Sequence, residues 1–252
     1  MIIDSHVHLG GSNIFNSSVS ESRLISTMDR NKVDACIAQP LPGAIPDSRT
    51  VHDAIHALAK KHPGRVYGVA SISPHLPKAE VEGEIRRCVE KLGFVGVKCH
   101  TVGHAVNPLS PNGDLLFRLA DQLKVPLIVH TGSGVGLSNP ALVIPKAREY
   151  PNVKVVLAHS GMLIFAGDAW VAAKECANVY LETSWAAAED IEWFVTSLGS
   201  RKVMMGSDVY SERCYNQAVE LEKYRIMEIP EADKANCLAN TAREVFALKG
   251  AV

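Results

Sequence analysis

Short apolar runs alternate along the chain with longer segments in which apolar residues recur every three or four positions. Runs that are apolar throughout are typical of parallel strands, which are buried on both faces of a sheet. Strands are predicted at residues 2–8, 35–39, 66–72, 94–99, 125–129, 153–158, 179–181 and 202–205. The sequence therefore predicts eight short buried strands.

The segments between these strands have the spacing of amphipathic helices. Ser20 is a plausible N-cap, Pro140 occupies a first helical position, and Gly93 lies where a C-terminal cap is expected. Helices are predicted at residues 21–31, 50–62, 78–92, 114–123, 140–150, 167–176 and 189–198, with a helical tail from residue 213 that breaks at Pro230. Residues 12–20 are predicted to be a loop.

Eight strands that alternate with helices favour an α/β fold of the (β/α)8 TIM barrel type. No linker, low-complexity tract or repeat divides the chain. We therefore expect one domain over residues 1–252.

Composition excludes several classes of function. The chain is 47% hydrophobic and 21% charged with a net charge of −1, so it lacks the basic excess that attracts nucleic acid or a membrane surface. A strand that begins at residue 2 leaves no room for a signal peptide, and the apolar runs are too short to cross a bilayer. Six scattered cysteines without CxxC spacing favour reduced thiols over a cysteine zinc site. We expect a cytoplasmic protein with a small-molecule substrate and no nucleic-acid or membrane partner.

Histidines and one aspartate follow the ends of five predicted strands. His6 and His8 stand two apart in the first strand, so their side chains point to the same side. The others are His100, His130, His159 and Asp208, which follow strands four, five, six and eight. A barrel gathers these strand ends at the face where its active site lies. A single such histidine is usually a packed residue, but the ordered set predicts a centre for a zinc-type ion.

On these residues the chain resembles the amidohydrolase superfamily, and within it the amidohydrolase-related branch that includes the aminocarboxymuconate-semialdehyde and resorcylate decarboxylases. The segments that carry the resemblance are residues 4–8, 93–100, 129–130, 157–161 and 206–208. The resemblance implies a divalent ion, usually zinc, bound by His6, His8, His130 and Asp208. It also implies that His159 either binds a second ion or contacts the activated water or substrate. Because family members are often dimers or larger, a homo-oligomer is a further expectation.

Lys98 bears on whether one ion or two is expected. In some relatives with two ions, a lysine of the fourth strand is carboxylated and bridges them. Lys98 and His100 share one face of the predicted strand, so both can point inward. An unmodified amine that neutralises a substrate carboxylate is favoured over a carbamate, and His100 is either a substrate contact or a packed residue. One ion is therefore preferred, with two as the alternative.

This set of residues predicts a metal-dependent hydrolase. A divalent ion acidifies bound water and polarises a carbonyl group. Asp208 is the predicted acceptor of the water proton, and His159 is predicted to orient the nucleophile or to protonate the leaving group. The predicted substrate is a small amide, lactone or ester. A metal-dependent nonoxidative decarboxylase and a ligand-binding barrel without turnover are the alternatives.

The last two strand ends supply candidate substrate contacts. Trp185 follows strand seven, whereas Tyr210, Glu212 and Arg213 follow strand eight. Arg213 is a natural clamp for a carboxylate because its guanidinium can form paired hydrogen bonds.

Other features are weaker candidates. His52 and His56 share a helix face and are predicted to be solvated. His75 and His104 are predicted mainly as loop histidines. The glycine-rich run at residues 132–136 is predicted to be an active-site loop, since it lacks the lysine of a phosphate-binding loop. The two tryptophans inside predicted helices, Trp170 and Trp193, are assigned to the core.

Overall fold

A ring of parallel strands forms the centre of the molecule in the computed structural model, which describes residues 1–250. The strands are β1 (Ile3–Ser12), β2 (Ser17–Val19), β3 (Ala35–Pro40), β4 (Ala44–Ile45), β5 (Val66–Ala70), β6 (Gly96–Cys99), β7 (Leu127–His130), β8 (Val155–Ala158), β9 (Val179–Glu182) and β10 (Val203–Met204). Eight of them follow one another in parallel in the order β1, β3, β5, β6, β7, β8, β9, β10. This order confirms the predicted (β/α)8 barrel.

The segment after β10 closes the ring against β1. The Ser5 amide donates to the Met205 carbonyl at 3.1 Å, and the His8 amide donates to the Val209 carbonyl at 2.9 Å. Between these bonds, the Asp208 amide donates to the His6 carbonyl at 2.8 Å. Closure of the barrel therefore places Asp208 beside the His6 and His8 pair.

Helices cover the outside of the ring. They are α1 (Glu21–Asn31), α2 (Ser48–Lys61), α3 (Lys78–Arg86), α4 (Pro111–Leu123), α5 (Ile144–Glu149), α6 (Ala166–Glu175), α7 (Ala188–Leu198), α8 (Asn216–Ile226), α9 (Glu231–Ala235) and α10 (Thr241–Val245). Ser20 caps α1 as predicted, because its side chain accepts from the Arg23 amide at 3.2 Å. No helix within residues 1–250 is long and apolar enough to cross a membrane.

The barrel interior changes from apolar to polar along the strands. Ile3, Ile37 and Ile128 belong to an apolar cluster that also contains Val245 and Phe246 at the end of α10. Because side chains alternate along a strand, the inward position that follows Ile128 is His130. The strand ends therefore carry the polar groups above an apolar base.

The segment at residues 12–20, predicted to be a loop, contains regular structure. β1 continues to Ser12, and both β2 and β4 pair with its end in antiparallel register. The loop prediction was wrong because part of this pairing is made to distant residues, such as Ser12 with Ala44. Two predicted helices are α-helical over only part of their length. In the helix predicted at residues 78–92, a π-helical turn at Arg87–Lys91 follows α3, and in the helix predicted at residues 140–150, a 3-10 turn at Pro140–Val143 precedes α5.

Candidate metal centre and active site

Histidine rings from four barrel strands meet at the carboxyl ends of the strands. The ring of His6 lies 5.2 Å from that of His8 and 4.9 Å from that of His159, measured between centroids. His130 stands 4.7 Å from His159 and stacks on His100 at 4.2 Å. The predicted strand-end histidines thus form one continuous cluster.

Three of the predicted ligands converge closely enough to hold one ion. Asp208 Oδ1 lies 3.0 Å from His8 Nε2 and 3.7 Å from His6 Nε2. One ligand atom from each residue falls within 4.8 Å of the other two. Two imidazole nitrogens and a carboxylate oxygen fit a divalent transition metal.

His130 lies beside this group and contacts it through His159. Its Nδ1 is 3.1 Å from His159 Nε2, and its Nε2 is 3.4 Å from the Ser133 hydroxyl oxygen. His159 Nδ1 in turn lies 2.7 Å from the Ser184 hydroxyl oxygen. The roles of His130 as a ligand and of His159 as a catalytic residue stay predictions.

Glu182 at the end of β9 is a central residue that the sequence interpretation missed. Its Oε2 accepts from His6 Nδ1 at 2.7 Å and from the His159 amide at 3.1 Å, while its Oε1 accepts from the Ser184 amide at 2.6 Å. A carboxylate on Nδ1 leaves His6 Nε2 free to bind a cation. The available sequence signal was an acidic residue directly after the apolar run at residues 179–181.

Asp4 holds the segment that carries Asp208. Its carboxylate accepts from the Ser207 amide at 2.9 Å, from the Ser207 hydroxyl at 2.5 Å and from Gln217 Nε2 at 2.8 Å. Burial raises the pKa of Asp4 to about 6, although these hydrogen bonds favour its charged form. The first residue of the Asp4 to His8 motif therefore supports the position of the last predicted ligand.

Burial also sets the charge of the groups in the cluster. Desolvation lowers the pKa values of His6, His130 and His159 well below the usual range, so these rings are neutral and able to bind a metal. Burial alone would raise the pKa of Asp208, but the hydrogen bond from His8 holds it well below its ordinary value. Asp208 is therefore ionised.

Lys98 lies inside the barrel, with Nζ 3.3 Å from His6 Nε2. Burial lowers its pKa to about 8, while Asp208 and Glu182 favour the charged amine. Within residues 1–250, Lys98 does not line the pocket above the cluster. Its proximity to His6 places it next to the predicted metal, and the choice between one and two ions stays a prediction.

Five residues of the site other than glycine have a positive φ, including Ser133 with 60° and Met162 with 52°. His159 has a φ of 68°, Trp185 of 65° and Asp208 of 53°. Residues other than glycine rarely adopt this region, and such strain is concentrated at functional sites. All five side chains line the pocket at the carboxyl ends of the strands.

A pocket of about 340 Å³ opens above the cluster. Its polar lining consists of His8, His100, His130, Ser133, His159 and Asp208. The remaining lining, called the apolar wall below, consists of Phe15, Leu41, Pro42, Val102, Met162, Trp185 and Tyr210. The volume suits a single-ring substrate.

Trp185 connects the apolar wall to the ligand cluster. Its indole Nε1 donates to Asp208 Oδ2 at 2.8 Å, and its ring lies 6.2 Å from that of Tyr210. Arg213, by contrast, is exposed and is not part of the pocket lining within residues 1–250. Glu212 is also outside the lining and accepts from the Ser20 amide at 2.6 Å. The pocket position fits the predicted role of Trp185 as a substrate contact, whereas Arg213 would have to move to reach a substrate.

His52 was assigned wrongly to a solvated face. It is fully buried, its Nδ1 lies 2.8 Å from Glu84 Oε1, and its Nε2 accepts from the Ser71 amide at 3.0 Å. Glu84 also accepts from Arg87 at 2.9 and 2.7 Å, so its oxygens already have partners. Although these groups lie near Cys88, they form a structural network that joins α2 to α3.

The other weak candidates lie away from the ligand cluster or at its edge. His56 is partly buried, with its Nδ1 3.0 Å from the Leu92 carbonyl oxygen, and His75 is exposed beside Asn112. His104 is buried, with its ring 6.0 Å from that of His100. The core assignment of Trp193 was wrong, because its ring stacks on that of Trp170 at the surface and is 39% exposed.

A protein-family model described as amidohydrolase matches residues 44–248 of the chain. The chain is 23% identical to the 2-amino-3-carboxymuconate-6-semialdehyde decarboxylase of Dictyostelium discoideum, over 89% of this chain and 76% of the relative. This similarity covers most of both proteins.

Two solved structures share the fold at low identity. One is the 5-carboxyvanillate decarboxylase of Novosphingobium aromaticivorans in complex with manganese and 4-hydroxy-3-methoxy-5-nitrobenzoic acid. It has a TM-score of 0.76 and 17% identity over 98% of this chain and 96% of the other. The second is a probable 2-pyrone-4,6-dicarboxylic acid hydrolase of Acinetobacter baumannii with citric acid bound, with a TM-score of 0.72 and 15% identity over 98% and 99%. The same barrel therefore occurs in proteins named for decarboxylation and for hydrolysis.

Proposed function

The chain belongs to the amidohydrolase family, and on that premise we propose that it is a metal-dependent nonoxidative decarboxylase of a small unsaturated carboxylic acid. The observation that carries the proposal is the position of Asp208. Its carboxylate lies between His8 of the ligand cluster and Trp185 of the apolar wall. A proton on Asp208 would therefore be next to a substrate bound in the pocket.

The residues of the cluster fit a divalent ion, with His6, His8, His130 and Asp208 as its proposed holders. When bound, the ion supplies positive charge and Lewis acidity for an oxygen of the substrate. Glu182 orients His6 for this purpose, because it fixes which ring nitrogen carries the proton.

In the proposed reaction, the bond between the substrate carbon and its carboxylate breaks and carbon dioxide leaves. The electron pair stays on the carbon and spreads into the unsaturated system of the substrate. Asp208 first accepts a proton from a hydroxyl group of the substrate or from water, and then delivers it to that carbon. The carboxylate is replaced by hydrogen, and the substrate oxygen or the hydroxide that gave up the proton regains one from solvent, so one proton is consumed for each carbon dioxide released.

The apolar wall assists this step by excluding water. Loss of neutral carbon dioxide removes a charged group, and such a change is easier where the carboxylate is poorly solvated. The relative from Dictyostelium and the manganese-bound structure are both named as decarboxylases, which also supports this choice over hydrolysis.

Hydrolysis of a small carbonyl compound, which the sequence favoured, is the second candidate. Asp208 is ionised, so it can accept a proton from a water molecule whose acidity a bound ion would raise. The two reactions differ in their products. Decarboxylation in heavy water would put deuterium on carbon and release carbon dioxide, whereas hydrolysis in ¹⁸O-water would put ¹⁸O into the product. Solvent ¹⁸O in the product without carbon dioxide release would contradict the proposal.

The proposal also covers which metal ion is bound and which cellular compartment holds the protein. Histidine ligands suit zinc, whereas one solved relative carries manganese, so zinc and manganese are the two ions to test. All six cysteines are free and buried, which agrees with a reducing compartment such as the cytoplasm.

A further inference from the structure

His100 is a buried histidine of the pocket to which the proposed reaction assigns no step. It follows β6, is 5% exposed and belongs to the lining of the pocket above the cluster. Its ring stacks on that of His130, with 4.2 Å between the centroids and 15° between the planes. This contact limits rotation of the His100 ring, so the edge of the ring has a defined direction.

A hydrogen bond from the backbone defines which ring nitrogen of His100 carries the hydrogen. The Gly103 amide donates to His100 Nδ1 at 3.0 Å, so Nδ1 is an acceptor without a hydrogen. In the neutral ring the hydrogen is then on Nε2. A hydrogen on Nδ1 would point at the hydrogen of the Gly103 amide, and this opposition disfavours the other tautomer.

The turn after β6 holds the Gly103 amide in place. The His104 amide donates to the His100 carbonyl at 2.9 Å, which closes the turn around Gly103. A Cβ at Gly103 would lie only 2.4 Å from the Cβ of Pro42, so this close approach requires glycine. The tautomer of His100 is therefore set by backbone that is packed on both sides.

The other nitrogen of His100 is a donor that the pocket can use. Among residues 1–250, Nε2 has no hydrogen-bond partner and is not enclosed. The hydroxyl groups of Ser133 and Tyr210 also belong to the lining, but a hydroxyl group can rotate to donate or to accept. Nε2 of this tautomer can only donate. Binding of an ion at Nε2 would require the hydrogen to move to Nδ1, against the Gly103 amide.

His100 and Asp208 stand on opposite sides of the barrel. His100 follows β6, the fourth strand of the ring, whereas Asp208 follows β10, the eighth. Strands four places apart in a closed ring of eight lie across the barrel from each other. A substrate between them can therefore exchange a proton with Asp208 while one of its oxygens accepts a hydrogen bond from His100.

We propose that His100 is a catalytic residue that donates a hydrogen bond from Nε2 to a substrate oxygen conjugated with the carbon that loses carbon dioxide. The inference rests on the proposed function, because the electron pair left on that carbon spreads onto such an oxygen. A fixed donor stabilises the negative charge that develops there, and it keeps its own hydrogen throughout. His100 is then a donor to the substrate rather than a ligand of a second ion.

NMR spectroscopy of the full chain with ¹⁵N-labelled histidine tests the tautomer directly. The protein is loaded with zinc, which is diamagnetic, and the spectrum of His100→Gln assigns the two signals of His100 by their loss. At neutral pH we expect a hydrogen on Nε2 and none on Nδ1. A hydrogen on Nδ1, alone or together with one on Nε2, would overturn the inference.

Two variants separate the hydrogen bond from the packing of the ring. His100→Phe keeps a ring against His130 but has no donor, whereas His100→Gln places an amide N–H near the position of Nε2 and has no ring. Both variants lose the bond from Gly103, so they are matched in that respect. Both should retain the native metal content, and circular dichroism spectra establish whether they are folded.

Isothermal titration calorimetry on the zinc-loaded proteins measures the contribution of the donor without requiring turnover. The probes are 2-hydroxybenzoate and 4-hydroxybenzoate, each compared with the methylbenzoate that has a methyl group in place of the hydroxyl group. In the native protein we expect at least one hydroxy acid to bind about 10-fold more tightly than its methyl counterpart, the effect of one hydrogen bond. This preference should vanish in His100→Phe and stay within about 3-fold of the native value in His100→Gln.

The outcomes separate this inference from the proposed function. A preference that survives in His100→Phe would come from the ion or from other lining residues, and it would overturn the inference. Loss of the metal in His100→Gln alone would also overturn it, because the ring would then serve to position His130. Absence of any preference in the native protein would overturn the inference and leave the decarboxylase proposal standing.

Solvent ¹⁸O in the product without carbon dioxide release would overturn the decarboxylase proposal and, with it, the substrate oxygen assigned to His100. The tautomer measured by NMR would be unchanged by that result, so the two failures are distinguishable. If either variant does not fold, the tautomer and the binding preference of the native protein still decide.

Discussion

Single residues determine how the cluster is oriented. Glu182 and Trp185 are not among the predicted metal ligands, yet each forms a hydrogen bond with one of them. Glu182 accepts from His6 at 2.7 Å, and Trp185 donates to Asp208 at 2.8 Å. The sequence did not predict the role of Glu182, because its partner His6 lies 176 positions away in the chain. The histidines at the strand ends were easier to predict. Side chains alternate along a strand with a period of two, and the barrel brings the carboxyl ends of all strands to one face.

Replacement of Glu182 by Gln should weaken metal binding by about 10- to 100-fold, the usual range for the loss of a group that orients a histidine ligand. Gln keeps the size of the side chain but removes the negative charge that stabilises the Nδ1 proton of His6. Competition with a chelating dye measures the affinity. Glu212→Gln, at an exposed position, is the control and should bind as the native protein does. Unchanged affinity in Glu182→Gln would argue against this role.

Replacement of Trp185 by Phe should lower kcat about 10-fold and move the acid limb of the pH–rate profile to higher pH. The indole hydrogen bond stabilises the charged form of Asp208, so its loss raises the pKa of that carboxyl group. The profile of kcat against pH checks both effects. Trp193→Phe makes the same exchange on the surface and should leave the profile in place. A shift of the limb to lower pH would contradict the assignment.

At the scale of elements, helix periodicity predicted where helices lie but not what their polar residues contact. The face of α2 that carries His52 packs against α3 and the chain after β5, so the residue is buried with Glu84 and Ser71 as partners. The sequence pattern does not reveal such partners, because they come from other elements. The same limitation explains why the antiparallel strands β2 and β4 were missed.

The network between α2 and α3 should make the fold sensitive to acid. Burial alone would raise the pKa of Glu84, but hydrogen bonds from His52 and Arg87 outweigh it and lower the value from 4.5 to about 2. The charged carboxylate therefore contributes stability that is fully present above pH 4.5 and is lost as the pH falls toward about 2.

Glu84→Gln should consequently lower the free energy of unfolding at pH 7 by about 2 kcal/mol, the scale of a buried charged hydrogen bond. Its stability should also depend less on pH between 4.5 and about 2 than that of the native protein. Urea denaturation at several pH values measures both quantities. A pH dependence as steep as that of the native protein would rule out Glu84 as its source.

For the whole molecule, alternation of strands and helices was enough to predict the barrel, and the barrel in turn predicted the meeting of residues from both ends of the chain. Strand β10 has only two residues, so closure depends on hydrogen bonds that β1 makes with the segment after it. The sequence predicted that Asp208 follows the last barrel strand, but it did not predict the hydrogen bond that Asp208 accepts from Trp185. Pocket chemistry was the least predictable part, because the apolar wall combines residues from several separate loops.

Elemental analysis of the purified protein tests the central claim, that the strand ends hold a divalent ion, most directly. Three converging ligand atoms and a fourth predicted histidine lead us to expect about one zinc or manganese ion per chain. The double variant His6→Ala and His8→Ala should lose this ion, because it removes two of those ligands. A count near two that falls with Lys98→Ala would show that a second ion is present and that one-ion binding is wrong. Full retention of the metal in the double variant would contradict the account as a whole.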